Sequence, residues 1–139
     1  FFYNFNVQCC YLIPLRQTSF SSTVLCHISF SQITGAAYGK GAYFGKVADF
    51  SHRYVIPGAH IPDQEAKALT PAQLEQRKKV HTMLLCKIIT GRSCLGKSGM
   101  TKPISGYHSA IDRLNDPQMF IIFNPDQILP VNIVEYCVG

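Results

Sequence analysis

Hydrophobic and polar positions follow two regimes along this chain. From Phe1 to Thr34, apolar residues alternate with Ser-rich pieces and the pair Cys9-Cys10. Neither the two-residue period of a strand nor the 3.6-residue period of a helix is present, so the pattern assigns no element there. From Gly35 onward the signals fall into order. Val80 to Ile89 is rich in apolar side chains and bounded by Gly91, which predicts a buried strand. Met119 to Phe123 is a shorter apolar run closed by Asn124-Pro125-Asp126 and predicts another. Val131 to Val138 is expected to complete a largely antiparallel sheet as a second hairpin arm. Thr70-Pro71-Ala72-Gln73 has the capping-box pattern with proline at the first helical position, so Thr70 to about Lys79 reads as a short helix or as a loop inserted after Pro62. If Lys46 to Tyr54 is helical, Ser51 and Tyr54 stand three apart and share a face. Gly91, Gly96 and Gly99 mark a loop whose Arg92, Lys97 and Lys102 face water or meet phosphate or an acceptor.

Composition sharpens the break near residue 34. Arg16 is the sole charged side chain before it, whereas 20 charged residues follow Gly35. A length of 139 residues fits one domain with one core that buries about two-thirds of the unfolded surface. The 13 basic and 8 acidic residues leave a net charge of +5 with no long basic run. That balance suits an anionic dinucleotide as well as nucleic acid and decides neither. The 6 cysteines show no paired spacing, which favours reduced thiols and an intracellular setting, nucleus or cytoplasm. With no signal peptide of the expected build and no stretch of 18 uninterrupted apolar residues, a soluble fragment with no membrane partner is expected.

Candidate chemistry concentrates in Tyr38-Gly39-Lys40-Gly41-Ala42-Tyr43-Phe44, followed by Ser51 and Tyr54. Closely spaced glycines beside a lysine mark backbone that turns tightly or lets a ligand approach. A flat heteroaromatic ring fits between Tyr43 and Tyr54, with Ser51 as its polar handle. On spacing alone, an ordinary turn followed by core aromatics is the commoner arrangement. No metal is expected: His81, Cys86 and Cys94 lack paired spacing and a fourth ligand, and on one strand His81 and Cys86 point to opposite faces. Lys40, Tyr43 and Lys46 are a faint version of the basic and aromatic interleaving of nucleic-acid readers, so nucleic-acid binding is not expected.

The segment Tyr38 to Tyr54, YGKGAYFGKVADFSHRY, resembles the signature of the poly(ADP-ribose) polymerase (PARP) catalytic domain, in the diphtheria-toxin-like branch of the ADP-ribosyltransferases. Val80 to Gly91 is similar to the strand and turn after that family's helix. Asp116 to Gln127 is similar to its last-but-one strand, and Gln127-Ile128-Leu129-Pro130 leads into a closing strand ending near Val138. The resemblance covers about residues 35 to 139 and has little specificity from Ile56 to Lys79. It implies an α+β fold of mostly antiparallel sheets with a few short helices, here truncated on the N-terminal side. Residues 1–34 are then unassigned sequence foreign to the fold, and 35–139 the C-terminal part of the catalytic domain.

Residue by residue, the resemblance makes Tyr43 the tyrosine of a His-Tyr-Glu triad, Tyr54 the ring that stacks on nicotinamide, and Ser51 the hydroxyl that binds its carboxamide. Gly41 joins the nicotinamide-binding set. The glutamate position falls on Met119, and family members with an apolar residue there transfer single units. A thioether accepts hydrogen bonds only weakly and mainly fills space. The family's triad histidine lies in a His-Gly-Thr or His-Gly-Ser strand, and this chain contains neither tripeptide. His27 is the only histidine before Tyr43, sits too close to it, and lacks the following glycine.

Two functions follow from the resemblance. One is an NAD-dependent protein mono-ADP-ribosyltransferase that consumes NAD as substrate, releases nicotinamide, modifies an acceptor protein and uses no true cofactor. The alternative is a catalytically inactive fragment or pseudoenzyme that acts as a binding or scaffold domain.

Overall fold

The computed structural model describes the backbone at 7–12 and all of residues 37–55, 57, 58, 61 and 63–139. His27 and most of the first 34 residues lie outside the described residues. Among the described residues a sheet of seven strands organises the chain: β1 (Val7–Leu12), β2 (Ala42–Gly45), β3 (His81–Ile89), β4 (Ser93–Leu95), β5 (Ser109–Ile111), β6 (Met119–Ile122) and β7 (Ile128–Tyr136), in the spatial order β4-β5-β6-β2-β1-β3-β7. Every described pairing is antiparallel except β4 with β5. The expected α+β fold with mostly antiparallel strands is what the chain adopts. Val7–Leu12, to which the hydrophobic pattern gives no element, runs between β2 and β3.

The apolar runs form strands because both faces of the central sheet are covered. All four residues of β2 are buried. On one face Ala42 and Phe44 pack with Leu84, Cys86, Ile88 and Phe120. On the other, Tyr43 packs with Cys94, Ala110 and Ile121. Strands buried on both faces read as continuous hydrophobic runs, which is why Met119–Ile122 shows no alternation. Within β3, Leu84, Cys86 and Ile88 alternate toward the first cluster, and Met83 is buried on the opposite side of the strand. Register with β7 slips between Leu85 and Cys86, a bulge that leaves β7 continuous from Ile128 to Tyr136.

Among the described residues three short α-helices lie outside the sheet: α1 (Ala48–His52), α2 (Asp63–Ala68) and α3 (Pro71–Arg77). The capping box at Thr70 forms as its spacing predicts, with the Gln73 N–H donating to the Thr70 hydroxyl and the Thr70 N–H to the Gln73 side chain. Arg77, in the last turn of α3, donates to Glu65 of α2 and Glu135 of β7, both at 2.7 Å. The expected loop from Gly91 to Gly99 contains a strand, β4. Ser93 and Ser109 lie opposite each other across the parallel pair. Their hydroxyls are 2.7 Å apart, and that of Ser109 donates to the Thr90 carbonyl at 2.8 Å. No helix among the described residues is long and apolar enough to cross a membrane.

Candidate functional site

Tyr43 is the third residue after Lys40 and the second of β2. Its hydroxyl returns to the turn that precedes it, accepting the Tyr38 N–H at 3.0 Å and donating to the Gly39 carbonyl at 2.8 Å. A phenol that holds its own turn in this way needs its proton. Burial pushes its pKa above the ordinary 10.0, and the two backbone hydrogen bonds oppose that rise. Gly41 is placed by close approach, since a Cβ there would lie 2.7 Å from both Ile121 Cγ2 and the Ile122 carbonyl oxygen of β6. The two glycines therefore do structural work: the turn and the tight β2–β6 contact put Tyr43 in place.

Pairing places the remaining candidates. Tyr43 lies opposite Ile121 and Gly45 opposite Met119, and directly opposed residues of an antiparallel pair project from the same face. Tyr43, Gly45, Met119 and Ile121 thus share one face. Above it lies α1, whose Ser51 is fully buried. A Cβ on Gly45 would collide with Ser51 Oγ, so the serine hydroxyl sits in the space that a side chain there would fill. Phe50 and Met119 both pack against the Tyr43 cluster.

Tyr54 stands differently from the expected helix face. The helix stops at His52 and Tyr54 falls in the turn beyond it, where its N–H donates to the Ser51 carbonyl at 3.0 Å. Ser51 is 0% exposed and Tyr54 45% exposed, so the two do not share a face. Its ring neighbour is Phe50, at 5.9 Å between centroids. Tyr43, Ser51 and Met119 are brought together; Tyr54 stands at the rim, linked to them through Phe50.

Two further residues hold α1. The Nδ1 of His52 lies 2.7 Å from the Tyr136 hydroxyl of β7, and His81 stacks on Tyr136 at 5.2 Å between ring centroids. The helix is therefore fixed to β2 through Ser51 and to β7 through His52. A groove of about 360 Å³ opens along this second attachment, with Ala48, Met83, Val134 and Tyr136 in its walls. Neither His52 nor Tyr136 carries a sequence signal for this role, because 84 residues separate them. Gly45, which the motif contains without singling out, is the other residue that spacing does not reveal.

No group of three or more metal-ligating side chains occurs among the described residues. No protein-family model matches the chain. Human protein mono-ADP-ribosyltransferase PARP12 is 27% identical over 111 residues, covering 75% of this chain and 13% of that protein. Mouse protein mono-ADP-ribosyltransferase PARP10 is 33% identical over 115 residues, covering 76% of this chain and 10% of that protein. The chain thus spans about a tenth to an eighth of these two curated relatives. The crystal structure of the PARP domain of Arabidopsis RADICAL-INDUCED CELL DEATH1 superposes with a TM-score of 0.68 at 20% identity, covering 97% of this chain and 70% of that one. The fold is that of a PARP domain. By sequence the chain is a relative of the mono-ADP-ribosyltransferases of the PARP family. In this PARP fold the second strand carries Tyr43 and Gly45, the helix after it supplies Ser51, and the strand at its side supplies Met119.

Proposed function

We propose that the chain belongs to an NAD-dependent protein mono-ADP-ribosyltransferase, which transfers one ADP-ribose unit from NAD to an acceptor protein and releases nicotinamide. The observation that carries this reading is the shared face of β2 and β6, where Tyr43, Gly45 with Ser51 above it, and Met119 converge. Tyr43 and Tyr54 supply aromatic surface for the nicotinamide ring, each well-placed contact contributing about 1 kcal/mol beyond its buried area. Ser51 supplies the hydroxyl for the carboxamide, and Gly41 keeps β2 close enough to β6 for Tyr43 to hold its place.

Breaking the bond between nicotinamide and ribose builds positive charge on the sugar while the leaving ring must be held. Orientation of the ring is the part these residues can perform. Position 119 holds a thioether, which neither extracts a proton nor binds a ribose hydroxyl strongly. The acceptor group therefore attacks without help from that position, and transfer stops at one unit. NAD is consumed as substrate, the acceptor is a protein, and the free thiols of Cys86, Cys94 and Cys137 suit a nuclear or cytoplasmic setting.

Incubation with labelled NAD followed by mass mapping of the modified chain tests the reading. Single ADP-ribose increments that vanish in Tyr43→Ala are expected. Absence of transfer, together with no calorimetric binding of a benzamide mimic of nicotinamide, overturns it in favour of a scaffold domain.

A further inference from the structure

The hairpin that joins β5 to β6 is tied at its neck by one carboxylate. Asp112 directly follows β5, and its Oδ1 accepts the backbone N–H of both Gln118 and Met119 at 3.1 Å. Its side chain is only 9% exposed, and its Oδ2 lies 3.4 Å from Arg113 Nε. A largely buried carboxylate is costly unless hydrogen-bonded, and bonds from N–H groups to an ionised acceptor are stronger than neutral ones. Two such bonds at adjacent residues fix the direction in which the chain enters β6.

A second layer holds the same point from the other side. The Gln118 carbonyl accepts the Lys46 N–H at 2.9 Å, joining the neck to the end of β2. Lys46 Nζ binds Asp116 Oδ1 at 2.8 Å, and the Gln118 side chain donates to Asp116 Oδ2 at the same distance. Asp116 takes a left-handed φ of 49°, a conformation that aspartate tolerates better than most non-glycine residues and that these two contacts hold. Lys46 directly follows Gly45, and Met119 lies opposite Gly45. Met119 is also the first residue of β6, so its place at the fraying end depends on what receives its N–H.

From this geometry we infer that Asp112 is a positioning residue for the proposed transfer site: it sets where the Met119 thioether stands opposite Gly45 and Ser51, and so shapes the acceptor-side wall. The inference rests on the function proposed above for what that wall does; the positioning itself stands on geometry alone. Without the carboxylate, two N–H groups at the mouth of β6 lose their acceptor and the strand frays from Met119 inward. A displaced wall lets the acceptor group settle out of line, and a misplacement on the order of 1 Å, even one caused by a change away from the chemistry, costs about a hundredfold in rate. Transfer should therefore suffer more than capture of the nicotinamide ring by Tyr43 and Ser51, which stand on other elements.

The test uses the full chain carrying [methyl-13C]methionine, in which Met83, Met100 and Met119 are the only three methionines. Asp112→Ala is expected to shift or broaden the Met119 methyl signal and leave that of Met83 in β3 unmoved. Asp112→Asn, which keeps an acceptor oxygen, is expected to restore it. In parallel, kcat for transfer should fall about tenfold or more in Asp112→Ala, while affinity for a benzamide mimic changes by less than about threefold. An unmoved Met119 signal, or equal movement of Met83, overturns the inference, as does an equal loss of kcat and mimic affinity. A wild-type chain that neither transfers nor binds the mimic refutes the proposed function instead, and the methionine signals still decide the role of Asp112.

Discussion

Ser51 Oγ stands where a side chain on Gly45 would have to go. That relationship couples a strand residue with no chemistry of its own to the hydroxyl proposed to bind the carboxamide. It also explains why β2 ends in glycine on a face otherwise filled by Tyr43 and Ile121.

Gly45→Ala should therefore push Ser51 away and overpack the joint, at about 1–3 kcal/mol. Affinity for a benzamide mimic is expected to drop with it. Adding Ser51→Ala removes the colliding oxygen, so a double-mutant cycle by urea unfolding should show the pair less destabilised than the sum of the single changes. Additive effects would mean that the two residues do not meet.

Tyr43→Phe keeps the ring and removes both hydrogen bonds to the Tyr38–Gly39 turn. A cost of about 1–3 kcal/mol is expected, because a half-buried N–H and a buried carbonyl lose a partner. The same phenol makes stability depend on alkaline pH. Its folded value lies above the ordinary 10.0 because of burial, so the unfolded chain releases the proton first. The contribution is complete below about pH 10 and is lost as the pH rises through the folded value. Urea midpoints measured from pH 8 to 11 should fall less steeply in Tyr43→Phe than in the wild type. Some slope should persist, since burial also raises Tyr136 and Cys86.

Burial pushes the Cys86 thiol up to about 12, and the residue is fully enclosed, whereas Cys137 is exposed. Reactivity follows the thiolate fraction and access. Iodoacetamide at pH 8 with peptide mapping should label Cys137 at least about tenfold faster than Cys86. Comparable rates would show that the face of β3 carrying Cys86 opens readily.

Thr70→Ala removes the hydroxyl that accepts the Gln73 N–H, and leaves the other half of the capping box, the backbone N–H of residue 70 donating to the Gln73 side chain. Since the site is exposed and far along the chain from Tyr43 and Ser51, the expected loss is about 1 kcal/mol of stability with transfer unchanged. A matched loss of transfer would tie α3 to the site.

What could be read from the chain depended on whether a signal is local. Thr70 and Gln73 announce their own helix because the bonds that form it span three residues. The β6 run is legible because burial on both faces demands unbroken apolar sequence, and β3 because Leu84, Cys86 and Ile88 alternate toward the core in an apolar-rich stretch. Strands β4 and β5 are three residues each, too short to show a period, and exist because Ser93 and Ser109 meet beside an already formed β6. The end of α1 at His52, which separates Tyr54 from Ser51, is marked by no glycine or proline at residues 53–55. At the site, Tyr43, Ser51 and Met119 came from family resemblance, whereas Gly45 and Asp112 emerge only once β2, β6 and the hairpin neck are laid side by side.

The placement of β1 bears on how the molecule assembles. Among the described strands it is the seam between the ribbon of β4, β5, β6 and β2 and the ribbon of β3 and β7. Val7 meets Ile89, roughly eighty positions away along the chain, and closing so large a ring before any reward is slow. Refolding should accordingly proceed through two preformed ribbons that are stitched together last.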